Sequence, residues 1–188
     1  MDKDDNVFNV DKQQQDFFKS LLNKYNIQTV LDISQGYENL AFLMAKWGKD
    51  VTFLEDNVLF AQKAHLKSIQ SGIKLRILSA DMRDLSSVCQ TKFDLITCIN
   101  NTLFSLPNEE DVWGTLAQMY LKLHPGGLLV IYDVEERKEV AGSFSSKDLH
   151  IWLAELGFEK IENFNSVWKE KESNFLVISV TARPQTSF

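Results

Sequence analysis

The sequence predicts an α/β domain built on a doubly wound, mostly parallel sheet, and three observations predict it. Five short apolar runs alternate with segments of helical periodicity, the order that yields parallel strands joined by right-handed crossovers. The first run, Val30-Leu31-Asp32-Ile33, ends on a turn containing Ser34 and Gly36 and restarts as a helix near Asn39. That layout opens a ligand crevice at the carboxyl edge of such a sheet. After Gly157 the pattern changes to two strands separated by a charged turn, a hairpin that adds one antiparallel strand. No repeat or low-complexity tract interrupts the 188 residues, a length that suits one well-buried core better than two. The expectation is one domain over residues 1–188, with flexible ends at 1–11 and 185–188.

Each element has a local reason. Phe17, Leu21 and Tyr25 recur at helical spacing beside Phe18 and Leu22, which predicts a helix from Lys12 to Tyr25 lying across the sheet edge. Thr29 to Ile33 is the first strand, and the helix from Asn39 to Trp47 is stopped by Gly48. Val51 to Leu54 forms the second strand. The next helix runs from Val58 to Ser71 and ends at Gly72, and Leu75 to Leu78 forms the third strand, closing on Asp81-Met82-Arg83-Asp84. Phe93 to Cys98 is the fourth strand. Asn108 is a natural N-cap for a helix from Glu109 to Leu123, after which Pro125-Gly126-Gly127 turns the chain into the fifth strand, Leu128 to Tyr132. Ser146 caps a last helix through Leu156, stopped by Gly157. The hairpin strands are Lys160 to Trp168 and Phe175 to Ala182, joined by Lys169 to Asn174.

Composition narrows the function classes. A net charge of −6, with the acids dispersed, disfavours a backbone-driven nucleic-acid binder, which presents clustered Lys and Arg. The start Met1-Asp2-Lys3-Asp4-Asp5 has neither the basic end nor the apolar core of a signal peptide. No apolar run approaches the roughly 18 residues that a membrane span needs, so a cytoplasmic protein without membrane contact is expected. Cys89 and Cys98 lack metal-ligand spacing, so reduced thiols and no metal are expected. His65, His124 and His150 fall at positions suited to structural or solvated roles, and Cys98 at a strand end reads as core.

Several segments in order, Val30 to Ala41, Val51 to Asn57, Ala80 to Leu85, Phe93 to Leu106 and Leu121 to Ile131, resemble the class I S-adenosylmethionine-dependent methyltransferases, and above all their small-molecule branch. The resemblance covers about Lys12 to Pro184. It implies a Rossmann-like sheet of seven strands with the last inserted antiparallel, S-adenosyl-L-methionine as cofactor, and methyl transfer to a small or medium-sized acceptor. Residue by residue it places Asp32 near the methionyl ammonium, Ser34 and Gly36 in the cofactor loop with Tyr37, and Glu55 on the ribose hydroxyls, with Asp56 as the fallback. Asp81 and Met82 take the adenine, although Asp81 also suits a cap on the short helix that follows. Ile99 ends the fourth strand at the switch between cofactor and acceptor. Asn100 and Tyr37 are the candidate catalytic residues; Asn100, Asn101, Tyr132 and Asp133 line the acceptor side.

The loop's charge bears on the cofactor. A dinucleotide loop offers Gly-x-Gly-x-x-Gly so that bare backbone can hold a pyrophosphate dianion, whereas this one carries Asp32 and Glu38. Two carboxylates repel a pyrophosphate and attract a sulfonium cofactor that is a net cation, which disfavours NAD. Two positions depart from the family pattern: Ser34 stands at the first glycine and Glu38 at the third. Glu38 either faces the dipole of the following helix, a structural role worth a few tenths to about 1 kcal/mol, or faces the pocket and opposes the methionyl carboxylate. These departures keep a catalytically silent, methyltransferase-like binding module as the alternative function. The segment Asp133 to Ser145 is too short to roof an acceptor, so the site is expected to be open and completed by a bulky acceptor, a second copy or a partner chain.

Overall fold

The structure is a computed structural model that describes residues 10–36, 38–100, 102–134, 144–163 and 174–181. Helix α1 (Lys12–Lys24) is capped by Asp11, whose carboxylate accepts from the amides of Gln13 and Gln14. Strand β1 (Thr29–Ile33) follows, then α2 (Asn39–Lys46), β2 (Asp50–Glu55), α3 (Val58–Ser71) and β3 (Arg76–Ser79). A 3-10 turn at Met82–Asp84 leads into α4 (Leu85–Val88), β4 (Phe93–Ile99), α5 (Glu109–Leu121) and β5 (Leu123–Val134). The last elements are α6 (Ser146–Leu156), β6 (Phe158–Asn163) and β7 (Asn174–Thr181).

The sheet order is β3-β2-β1-β4-β5-β7-β6. Its first five strands are parallel, with the order reversing between β1 and β4, and β7 runs antiparallel to both β5 and β6. Alternation along β1 splits the core into two layers: Leu31 and Ile33 face the layer under α5 and α6, whereas Val30 faces the layer under α1 and α2. Asp94 ties the far end of the sheet together. Its carboxylate accepts from the amides of Gln28 and Thr29 and from the Thr29 hydroxyl; burial pushes the group up, but these donors outweigh it and hold it below the ordinary carboxylate range.

Most differences from the sequence reading are at element ends. Strand β5 begins at Leu123, not Leu128, because Pro125-Gly126-Gly127 is absorbed as an irregularity in the pairing with β4 between Phe93 and Leu95. Gly127 is needed there. A Cβ at that position would stand 2.8 Å from the His124 carbonyl oxygen and 3.2 Å from that of Asp94. The cap of α6 is Ser145, not Ser146: its hydroxyl accepts from the Asp148 amide while Asp148 reaches back to the Ser145 amide, a reciprocal capping box. Part of the expected Lys160 to Trp168 strand and its turn lie outside the described residues.

Candidate functional site at the carboxyl edge of the sheet

Register builds the centre of the site. β1 pairs with β4 so that Asp32 lies beside Thr97, both on the α2 side of the sheet. Asp32 is completely buried. Its Oδ1 accepts from the Thr97 hydroxyl at 2.5 Å and from the Ser34 hydroxyl at 2.7 Å, while Oδ2 has no hydrogen-bond partner among the described residues. Burial pushes the Asp32 carboxyl up to about 6, against the opposing pull of Thr97, Ser34 and the Ala41 amide. A half-satisfied buried carboxylate is costly to leave in a fold. It fits a cationic ligand.

The turn after β1 is held from β2. Gly36 adopts φ +69°, the left-handed region that favours glycine, and its amide donates to Glu55 Oε2 at 2.7 Å. Glu55 Oε1 accepts from the Asn57 amide at 2.9 Å, and the whole residue is buried. Burial raises the Glu55 carboxyl, the amides of Gly36 and Asn57 oppose this, and neighbouring Asp56 adds to the rise. Each carboxylate oxygen keeps a lone pair after these contacts, so Glu55 retains capacity for a diol. Asp56, beyond the end of β2, is exposed and accepts from the Gln35 side chain at 2.9 Å.

The remaining residues surround this centre. Met82 is buried, and with Ile33, Gln35, Leu54, Asp56 and Thr102 it lines a cavity of about 10 Å³. Small-molecule sites run to roughly 300–1,000 Å³, so this cavity as it stands is too small for one. A larger apolar recess of about 430 Å³ lies between α3 and β3, with Val58, His65, Leu66 and Ser79 on its walls, Ser79 being the register partner of Glu55. Asp81 does cap the turn that follows it: it accepts from the Arg83 amide at 2.8 Å and pairs with the Arg83 guanidinium at 2.7 Å. That guanidinium, itself bridged to Asp111, holds Asp81 below the usual carboxylate range. Ile99 ends β4 buried, its carbonyl accepting from the Thr102 hydroxyl, which in turn accepts from the Gln35 amide. Asn100 follows at φ +61°, a conformation that few residues besides glycine and Asn adopt and one that recurs at functional sites. Tyr132 is half-buried and pairs in register with Ile99. Tyr37, Asn101 and the side chain of Asp133 lie outside the described residues.

Both departures from the family loop acquire partners. The Ser34 hydroxyl is spent on Asp32. Glu38 makes no capping hydrogen bond to α2 and instead pairs with Lys67 on α3 at 3.0 Å. Thr97, Gln35, Thr102 and Lys67 were not singled out from the sequence. Thr97 interrupts an apolar strand with a hydroxyl, a usable signal, but Lys67 is 29 residues from Glu38 and nothing local marks it.

A family model described as a methyltransferase domain matches residues 30–127. This chain belongs to that family. It is 30% identical over 134 residues to a glycine/sarcosine N-methyltransferase of Halorhodospira halochloris, covering 70% of this chain and 50% of the relative. It is 28% identical over 116 residues to one of Aphanothece halophytica, covering 62% and 44%. The chain thus spans about half the length of the curated relatives it matches. Among solved structures, an S-adenosylmethionine-dependent methyltransferase from Clostridium acetobutylicum superimposes with a TM-score of 0.76 at 14% identity, over 95% of this chain and 96% of that one. The glycopeptide N-methyltransferase MtfA, complexed with S-adenosyl-L-homocysteine, gives 0.70 at 14% identity over 89% and 86%. The methyltransferase family thus shares its fold with the parallel sheet described above.

Proposed function

We propose that this domain binds S-adenosyl-L-methionine and transfers its methyl group to a small acceptor. The observation that carries the reading is the buried carboxylate of Asp32, with one oxygen unpartnered among the described residues, at the end of β1 beside the Gly36 turn. The residues present fit the cofactor: Asp32 for its ammonium, Glu55 for its ribose, Met82 as apolar cover for its adenine, and the Ser34–Gly36 backbone for the methionyl part. When bound, the cofactor supplies an electrophilic methyl carbon on a sulfonium, to which the acceptor's lone pair bonds as the carbon–sulfur pair returns to sulfur. The chain's own part is to orient the two reactants and exclude water, with Asn100 and Tyr37 the candidates for holding the acceptor and Asn101, Tyr132 and Asp133 for lining its side. No acid–base triad is required.

The curated relatives' names make a small primary or secondary amine the first acceptor to try, and the acceptor side is read as open and completed by bound substrate, a second copy or a partner chain. The same reading takes the 188 residues as one domain, with the hairpin closing the family's seven-stranded sheet. Titration calorimetry with S-adenosylmethionine, S-adenosylhomocysteine and NAD tests the core of it. Binding of the first two alone, followed by methyl transfer to glycine or a related amine, is expected. Binding of NAD instead, or of none of the three, refutes it. Ser34 and Glu38, the departures behind the silent-module alternative, each have a partner within the chain, which supports the enzyme reading.

A further inference from the structure

We propose that Lys67 is a positioning residue for the cofactor loop: together with Glu38 it forms a latch that holds the loop to α3 in place of the family's third glycine. The proposal rests on the cofactor reading above and adds a residue from outside the loop. Lys67 Nζ donates to Glu38 Oε1 at 3.0 Å and to Asn39 Oδ1 at 2.7 Å, and it stands 4.9 Å over the ring of buried Phe42. One ammonium therefore contacts the residue before α2, its first residue and its first full turn. Both charged side chains are half-buried, with exposures of 31% for Lys67 and 24% for Glu38, so water screens this pair less than an open surface pair.

The latch completes a set of restraints on the turn. Its start is tied by Ser34 to Asp32, its middle by the Gly36 amide to Glu55, and its far end by Glu38 to Lys67. α3 touches the turn a second time through the Phe60 ring, which a Cβ on Gly36 would meet at 3.6 Å. A glycine at position 38 would leave the backbone free of any such tie and let a ligand carboxylate approach. With glutamate there, the side chain is drawn to α3 and its charge is paired with Lys67, so the far end of the turn is held in place. Loss of the latch lowers the fraction of molecules with a binding-competent loop, and apparent affinity falls by the same fraction.

The test uses the whole chain and S-adenosylhomocysteine. Lys67→Met and Glu38→Gln are each expected to weaken binding by about 5- to 20-fold, with the double variant no weaker than either single, the non-additivity of two residues acting as one unit. Lys67→Arg should restore most of the affinity, because a guanidinium still bridges Glu38 and stacks on Phe42. Thermal melts check that the variants fold. Amide exchange of residues 34–38 in the ligand-free chain is expected to rise in both single variants, and this reading does not depend on any ligand. Parent-like affinity together with unchanged exchange in Lys67→Met and Glu38→Gln, or simply additive losses in the double variant, overturns the latch. A parent chain that fails to bind S-adenosylhomocysteine overturns the cofactor reading instead, and the exchange result then decides the latch on its own.

Discussion

Replacing Asp32 by Asn should make the protein less dependent on pH for its stability while weakening it as a cofactor binder. The carboxyl moves from 3.8 in the unfolded chain to about 6 in the fold because it is wholly buried. A raised acid means that the folded state holds its proton more tightly, so stability from this group falls as pH rises from about 4 to about 6 and the full burden stands above that range. The whole burden is about 3 kcal/mol, of which a little under half develops between pH 5 and pH 7.5. For a chain of this length that is about 3–6 °C in melting temperature. Asn keeps an acceptor for Thr97 and Ser34 but brings a buried amide that needs acceptors of its own, at about 1–3 kcal/mol, so absolute stabilities of parent and variant are poorly diagnostic. The double difference is diagnostic. Melts at pH 5 and pH 7.5 should show the parent losing about 3–6 °C that Asp32→Asn does not lose, since carboxylates held low by their donors, such as Asp94, act alike in both proteins and cancel. Parallel pH profiles would refute the idea that Asp32 sits in the fold as a strained, ligand-awaiting anion. So would undiminished S-adenosylhomocysteine affinity in the variant.

Two further outcomes follow from the same geometry. Glu55→Gln leaves one of the Gly36 and Asn57 amides facing an NH₂ group, and calorimetry should show S-adenosylhomocysteine affinity reduced by about 10- to 100-fold, the scale of charge-assisted hydrogen bonds, with the fold retained by circular dichroism; parent-like binding would remove Glu55 from the ribose position. Gly127→Ala should lower the melting midpoint sharply or leave the protein insoluble, because its Cβ meets the His124 and Asp94 carbonyls at 2.8 and 3.2 Å and backbone cannot move aside as a side chain does; an unchanged midpoint would mean that the β4–β5 junction is looser than described.

Local signals were enough for the order of elements. β1 ends where its apolar run stops and α3 ends at Gly72, and a C-cap glycine is local chemistry that a linear chain displays. The positions of Asp32 and Glu55 near strand ends, and of Gly36 in the turn after β1, were legible for the same reason. Pairing is what a sequence does not display. That Thr97 lies beside Asp32 depends on the register of β1 against β4, across 65 residues, and a slip of one residue would turn Thr97 to the opposite face. Whether Glu38 faced the dipole or the pocket was undecidable locally, because the partner that takes it, Lys67, comes from a different helix. The cost of Asp32 was equally invisible, since the same aspartate at an open strand end would be an ordinary solvated acid. Sequence placed the carboxylates; packing decided which of them is buried, which is paired, and which keeps an oxygen unmet among the described residues.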